Sequence, residues 1–170
     1  MNPDEFDIEM KKMVGLWPDP NLVSRSIIPY AKRLKTGKNL SITLLDDLRG
    51  ENTVDFLENI ENIKRINVIN EYHSDNSPLE DIFRKNVGKN DKVKKWSVDD
   101  DDIVAIMGNH FCNVGSMNAY YKKLKKGGIF CGDGHEKEQT KIVLNQFRRE
   151  NKIGTPINVA NYSIWFWYKA

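Results

Sequence analysis

From residue 40 onward, short β-rich runs alternate with stretches of helical period, and this alternation constrains the fold more than any other feature of the chain. Residues 40–45 are β-rich, and residues 52–60 follow with Val54, Leu57 and Ile60 on one side of a helix. Residues 65–70 hold a second strand with Ile66, Val68 and Ile69. Ser77, Pro78 and Glu80 form a helix start, with a capping hydroxyl, a first-turn proline and an acid at the third position. That helix runs to Gly88, and residues 93–98 read as a short third strand. Residues 103–107 are an unbroken apolar run, the pattern of a strand buried on both faces. A helix over 113–125, a turn at Gly127-Gly128, a strand at 129–131 and a helix over about 136–150 follow. Two strands, 157–160 and 163–168, close the chain, and the last is bulky on both faces, as an interior strand would be. Strands separated by helices imply an α/β fold, a mostly parallel sheet with helices on both faces.

The chain has 170 residues, a length that suits one compact domain without disulfide or metal staples. Residues 1–36 read as an N-terminal helical extension, with helices over 3–14 and 21–35, and residues 37–170 as the α/β domain. Lys and Arg number 26 against 24 acids, a net charge of +2, so a dedicated nucleic-acid face is not expected. The acidic run 99–102 and the basic run 122–126 read as solvated edges. Cys112 and Cys131 sit among apolar neighbours and read as packed, reduced thiols. No apolar run is long enough for a membrane span or an export signal, so a cytoplasmic location is expected. Aromatic residues near the C-terminus would support a homodimer.

In an open α/β sheet, ligands bind beyond the carboxyl ends of the strands. The polar residues at those positions are Asp46, Asp47 and Gly50 after the first strand, and Glu71, Tyr72 and His73 after the second. Ser97 ends the third, Gly108, Asn109 and His110 follow the fourth, and Asp133 and His135 follow the fifth. All three histidines of the chain fall on this rim, and with the acids they indicate a polar ligand cleft. His110 and His135 titrate near neutrality and are the candidate catalytic acid and base. No close-spaced ligand motif is present, so no metal is expected. A nucleophile elbow, a P-loop and a G-x-G-x-x-G fingerprint are all missing.

The stretch 101–110, ending Met107-Gly108-Asn109-His110, together with Leu124-Lys125-Lys126-Gly127-Gly128 and Gly132-Asp133, resembles class I S-adenosylmethionine-dependent methyltransferases. The nearest subgroup is the small O-methyltransferase-like one, and the resemblance extends over about residues 40–169. It implies a Rossmann-like three-layer sandwich with a seven-stranded sheet of order 3-2-1-4-5-7-6. It also implies S-adenosylmethionine as cofactor and a small-molecule methyl acceptor. By the same resemblance, Glu71 stands where the family's ribose-binding acid does, and Asp46 and Gly50 surround the methionine part. Ser97 and Asn109 complete the cofactor side, Asp133 faces the substrate, and His110 or His135 acts as base. Two departures stand out. The glycine of the family's first loop is Asp46 here, where a side chain would crowd the cofactor or pair with its ammonium. The acid expected at the fourth-strand end is Met107, which argues against the metal-dependent mode.

Two other readings follow from those departures. One is a degenerate member of the fold that binds a nucleotide, sugar or protein partner without methylating. The other is an enzyme of sugar nucleotides or glycans on a similar frame.

Overall fold

The computed structural model describes residues 22–34, 39–72, 77–94 and 100–170. The expected helix over 3–14, the boundary at 36/37, His73 and Ser97 lie outside the described residues. The described chain runs α1 (Val23–Ala31), β1 (Leu40–Leu45), α2 (Glu51–Asn59), β2 (Ile63–Ile69), α3 (Ser77–Val87) and β3 (Val93–Lys94). It continues with β4 (Asp101–Ile106), α4 (Val114–Tyr121), β5 (Leu124–Gly132), α5 (Glu138–Glu150), β6 (Asn158–Ala160) and β7 (Ile164–Tyr168). The strands form one sheet of order β3-β2-β1-β4-β5-β7-β6. The pairs β1 with β2 and β4, β2 with β3, and β4 with β5 are parallel. Strand β7 runs antiparallel to both its neighbours, β5 and β6. The order reverses beside β1, so the ends of β1 and β4 form the switch point where such sheets bind ligands.

Two apolar layers sandwich the sheet, and strand alternation sorts residues between them. Ile42, Leu44, Ile103, Ala105, Ile129 and Phe166 face α1 and α2, packing with Ile27, Ala31 and Phe56. Leu45, Val104, Ile106, Phe130, Trp165 and Trp167 face α4 and α5, packing with Met117, Leu144 and Phe147. Strand β7 is interior and apolar on both faces, as its bulk predicts. Trp165 and Trp167 stack at 5.4 Å between centroids, and both are fully buried. Full burial of each such side chain stabilises the fold by roughly 1.5–3 kcal/mol.

Two expectations are corrected. The acidic run is not a solvated edge at its end, because Asp101 is 0% and Asp102 4% exposed. Both belong to strand β4, beside β1, whose polar Ser41 and Thr43 supply hydrogen-bond donors to them. Thr43 Oγ1 donates to Asp101 Oδ2 at 2.9 Å, Arg65 Nη1 lies 3.2 Å from Asp101 Oδ1, and Ser41 N donates to Asp102 Oδ2 at 2.9 Å. Burial pushes the Asp101 carboxyl up, and Thr43 and Arg65 pull it back. Gly127 and Gly128 do not precede a strand but lie within β5, which starts at Leu124. Gly127 has φ +80° and its N–H bonds Lys169 O at 2.6 Å. The β4–β5 register shifts between Asp101 and Ile103, so the glycines absorb an irregularity inside the strand.

Candidate active site

The loop after β1 is held from beneath by Asp47. Its Oδ1 accepts from Asn52 N at 3.1 Å and Asn52 Nδ2 at 3.0 Å, and its Oδ2 accepts from Thr53 N at 2.8 Å and Thr53 Oγ1 at 2.6 Å. These groups begin α2, whose first N–H groups need acceptors, and Gly50 at the N-cap has no side chain to offer. Gly50 adopts φ +79°, and a Cβ there would lie 2.6 Å from Val87 Cγ2 on α3. A glycine is required for both reasons.

Asp46 takes φ +65°, the left-handed conformation that glycine supplies most easily and Asp tolerates. Its N–H continues the parallel ladder to Ile69 O at 2.8 Å, and its Oδ1 accepts the Glu71 N–H at 2.8 Å. The acid is thereby folded toward the β2 end. Asn70 Nδ2 reaches Asp47 O at 3.1 Å and Tyr72 Oη at 2.8 Å, and the Tyr72 hydroxyl donates to Leu48 O at 2.8 Å. Burial pushes the Tyr72 hydroxyl up to about 12, so it stays protonated and keeps this tie through the neutral range.

Across the switch point, Met107 N bonds Leu45 O at 3.0 Å, and Asp133 N bonds Ile106 O at 3.3 Å. Asp133 Oδ1 accepts the Gly108 N–H at 3.1 Å, and its carbonyl accepts Trp165 Nε1 at 3.0 Å. Burial raises the Asp133 carboxyl above the ordinary range, partly offset by the Gly108 bond and by Lys137.

A cavity of 340 Å³ opens between these walls. It is lined by Asp46, Asp47, Leu48, Arg49, Glu51 and Asn52 on one side and by Met107, Gly108 and Asp133 on the other. Leu22 and Val23 at the start of α1, with Leu79, complete the lining. Its cation, Arg49, lies 2.7 Å from Glu51 Oε1.

Of the residues expected at the site, Asp46 and Asp133 both line this cavity. Glu71 lies beside it and is half-exposed, and His110 Nε2 lies 3.9 Å from Glu71 Oε2. Asn109 is exposed in the turn before α4, where its carbonyl accepts Cys112 N. The His135 backbone is tied to Ser163 O at 2.9 Å, on the β7 side. Neither imidazole and not Gly50 belongs to the cavity lining among the described residues. Trp165 and Leu22 were not expected at the site. A tryptophan that holds the Asp133 backbone carries no local signal, since antiparallel pairing of β7 is what brings it there. A second cavity of 680 Å³ lies along α3 and β3, between Tyr72 and Lys94. Among the described residues, no three His, Cys, Asp or Glu gather as a metal-holding group, and no helix is long and apolar enough to cross a membrane.

Solved structures similar to this chain include several methyltransferases. The chain is similar to the O-methyltransferase from Bacillus cereus in complex with SAH, with a TM-score of 0.63 and 10% identity over 99% of this chain and 92% of that one. It is similar to the O-methyltransferase NovP, with a TM-score of 0.68 and 12% identity over 98% of each chain. It is also similar to precorrin-6y C5,15-methyltransferase from Geobacter metallireducens GS-15, with a TM-score of 0.65 and 14% identity over 89% of this chain and 92% of that one. No protein-family model and no curated protein matches the sequence. At such identities the likeness establishes the fold: this chain has the Rossmann-like fold of class I methyltransferases.

Proposed function

We propose that the protein is an S-adenosylmethionine-dependent methyltransferase acting on a small-molecule acceptor. The observation that carries this reading is the 340 Å³ cavity at the switch point, walled by Asp46 and Asp133 in a sheet of methyltransferase order. The bond from Glu71 N to Asp46 Oδ1 bears on whether the cofactor fits. It draws the Asp46 carboxylate toward β2, and a cavity remains where that side chain would otherwise crowd the loop.

When bound, the cofactor supplies a methyl group made electrophilic by its sulfonium. Glu71, half-exposed beside the cavity, is placed to accept hydrogen bonds from ribose hydroxyls. Asp46 is placed to face the ammonium of the methionine part, and its tie to the β2 end keeps that loop set before binding. His110, beside Glu71, stands on the ribose side. The Asp133 side faces the acceptor. A site of this kind works chiefly by holding donor and acceptor in line. The apolar Leu22, Val23 and Met107 limit water around the reacting groups.

Calorimetric titration with S-adenosylhomocysteine tests the reading. The wild type binds, and Glu71→Ala weakens binding by roughly 10- to 100-fold, the loss expected when hydrogen bonds to a charged group disappear. Absence of binding at millimolar ligand would overturn the proposal. Binding without methyl transfer to any small acceptor would favour the degenerate, non-methylating alternative.

A further inference from the structure

We infer that the outer edge of β6, with the turn that follows it, is the contact through which two copies of this chain pair across a two-fold axis. This contact does not depend on the methyl-transfer function proposed above. An open sheet has two edges, and each presents backbone N–H and C=O groups that another strand can use. Here the edges are β3 and β6. Strand β3 is two residues long, and Lys92 and Lys94, beside it and on it, are exposed. Lysines on a short edge strand are a common guard against a second strand. Strand β6 has no such guard, because residues 153–168 carry no charged side chain. Among the described residues β6 pairs with β7 and with no other strand.

The side chains around this edge are apolar and open to solvent. Val159 is 45% and Tyr162 80% exposed, two of the three large apolar side chains exposed among the described residues. Pro156 and Asn158 are exposed beside them. Tyr162 has φ +68°, where glycine would be unstrained, so the turn holds a large ring in solvent at a conformational cost. The hairpin is also tied in place. Asn161 Nδ2 donates to Ser26 Oγ at 3.2 Å, Gly134 N to Ser163 Oγ at 3.1 Å, and His135 N to Ser163 O at 2.9 Å. A surface already ordered loses little freedom on docking.

Charge selects a second copy as the occupant. A two-fold axis lays β6 antiparallel to the same strand of the partner and sets each residue near its own counterpart, so any charge on the strand would meet a like charge. A stretch without charge is the composition that self-pairing does not penalise. With the axis at Val159, the two Val159 side chains lie opposite each other. The Tyr162 end of each hairpin then comes beside Pro156 and Ile157 of the partner subunit. Three residues of strand make a small contact, so the dimer is weak and dissociates in the range of about 1–100 µM.

Sedimentation velocity of the full chain tests the contact. Wild type taken from about 1 µM to about 500 µM should pass from monomer to dimer, as mass action requires of a weak contact. Val159→Lys and Val159→Glu each set like charges face to face and should weaken association by on the order of 100-fold. Each should be monomeric with the circular dichroism of the wild type. Mixed in equal amounts, the two variants should dimerise again, because opposite charges then meet across the axis. Neither loss of folding nor a contact elsewhere gives that recovery. Tyr162→Gly should melt no lower than wild type, since it relieves the left-handed tyrosine, yet associate about tenfold more weakly. A wild type that stays monomeric throughout this range, a dimer that persists in Val159→Lys, a mixture of the charged variants that stays monomeric, or an unaltered association in Tyr162→Gly would each overturn the proposal.

Discussion

Replacing Asp47 by Ala isolates the energetic support of the loop that faces the cofactor. The carboxylate satisfies the backbone N–H groups of Asn52 and Thr53, residues that are 5% and 0% exposed. Alanine leaves both donors without their carboxylate partner. Each such buried donor costs about 1–3 kcal/mol, so the pair costs about 2–6 kcal/mol. The Asn52 amide and Thr53 hydroxyl also lose Asp47, but they rotate and can find other acceptors, so their loss adds little. A central value of about 4 kcal/mol is a large part of the 5–15 kcal/mol by which domains are stable. At about 2–4 °C per kcal/mol for a chain of this size, the melting temperature should fall by roughly 8–16 °C. Urea denaturation followed by circular dichroism measures the free energy, and a scan gives the temperature. Asp47→Asn keeps one acceptor and should lose about half as much. A loss below about 1 kcal/mol for the alanine variant would refute the view that this carboxylate carries the start of α2.

The remaining predictions concern the opposite wall. Gly132→Ala places a Cβ 2.6 Å from Ile106 O and against the Trp165 ring, so strand or ring must shift. It should cost about 1–3 kcal/mol in chemical denaturation. It should also weaken acceptor binding, since Trp165 holds the Asp133 carbonyl; a variant as stable as the wild type would contradict this packing. Asp133→Asn should be no less stable than wild type at neutral pH, and its stability should vary less with pH. The native carboxyl has its proton affinity raised above the ordinary value of 3.8, so in that window the native state binds more protons than the unfolded chain. The Asp133 contribution is therefore most favourable below the ordinary value and is lost as pH rises through the raised one. Melts across the acidic range check this, and an Asn variant with a steeper pH dependence would reverse the sign of the reasoning.

The order and type of the elements were legible in the sequence because they rest on local periodicity. The unbroken 103–107 run became central strand β4, and the bulky closing run became interior strand β7. The Ser77-Pro78-Leu79-Glu80 signature opens α3 as expected. The positions of Asp46, Asp47 and Asp133 just past strand ends were legible for the same reason, and these three line the cavity, whereas Glu71 and His135 also follow strands and do not. Burial of charge was not legible. Asp101 and Asp102 look like part of a solvated run until β4 lies beside β1, where Ser41 N and Thr43 Oγ1 donate to them.

Nor could the sequence choose between imidazole and carboxylate at the cavity. His110 and Asp133 both follow strand ends. The chain carries His110 toward Glu71, while the pairing of β5 with β7 puts Trp165 against Asp133. Periodicity along one segment decides what that segment becomes. Which side chains share a cavity depends on strand order and on bonds between residues far apart in the chain, and those exist only once the sheet has formed.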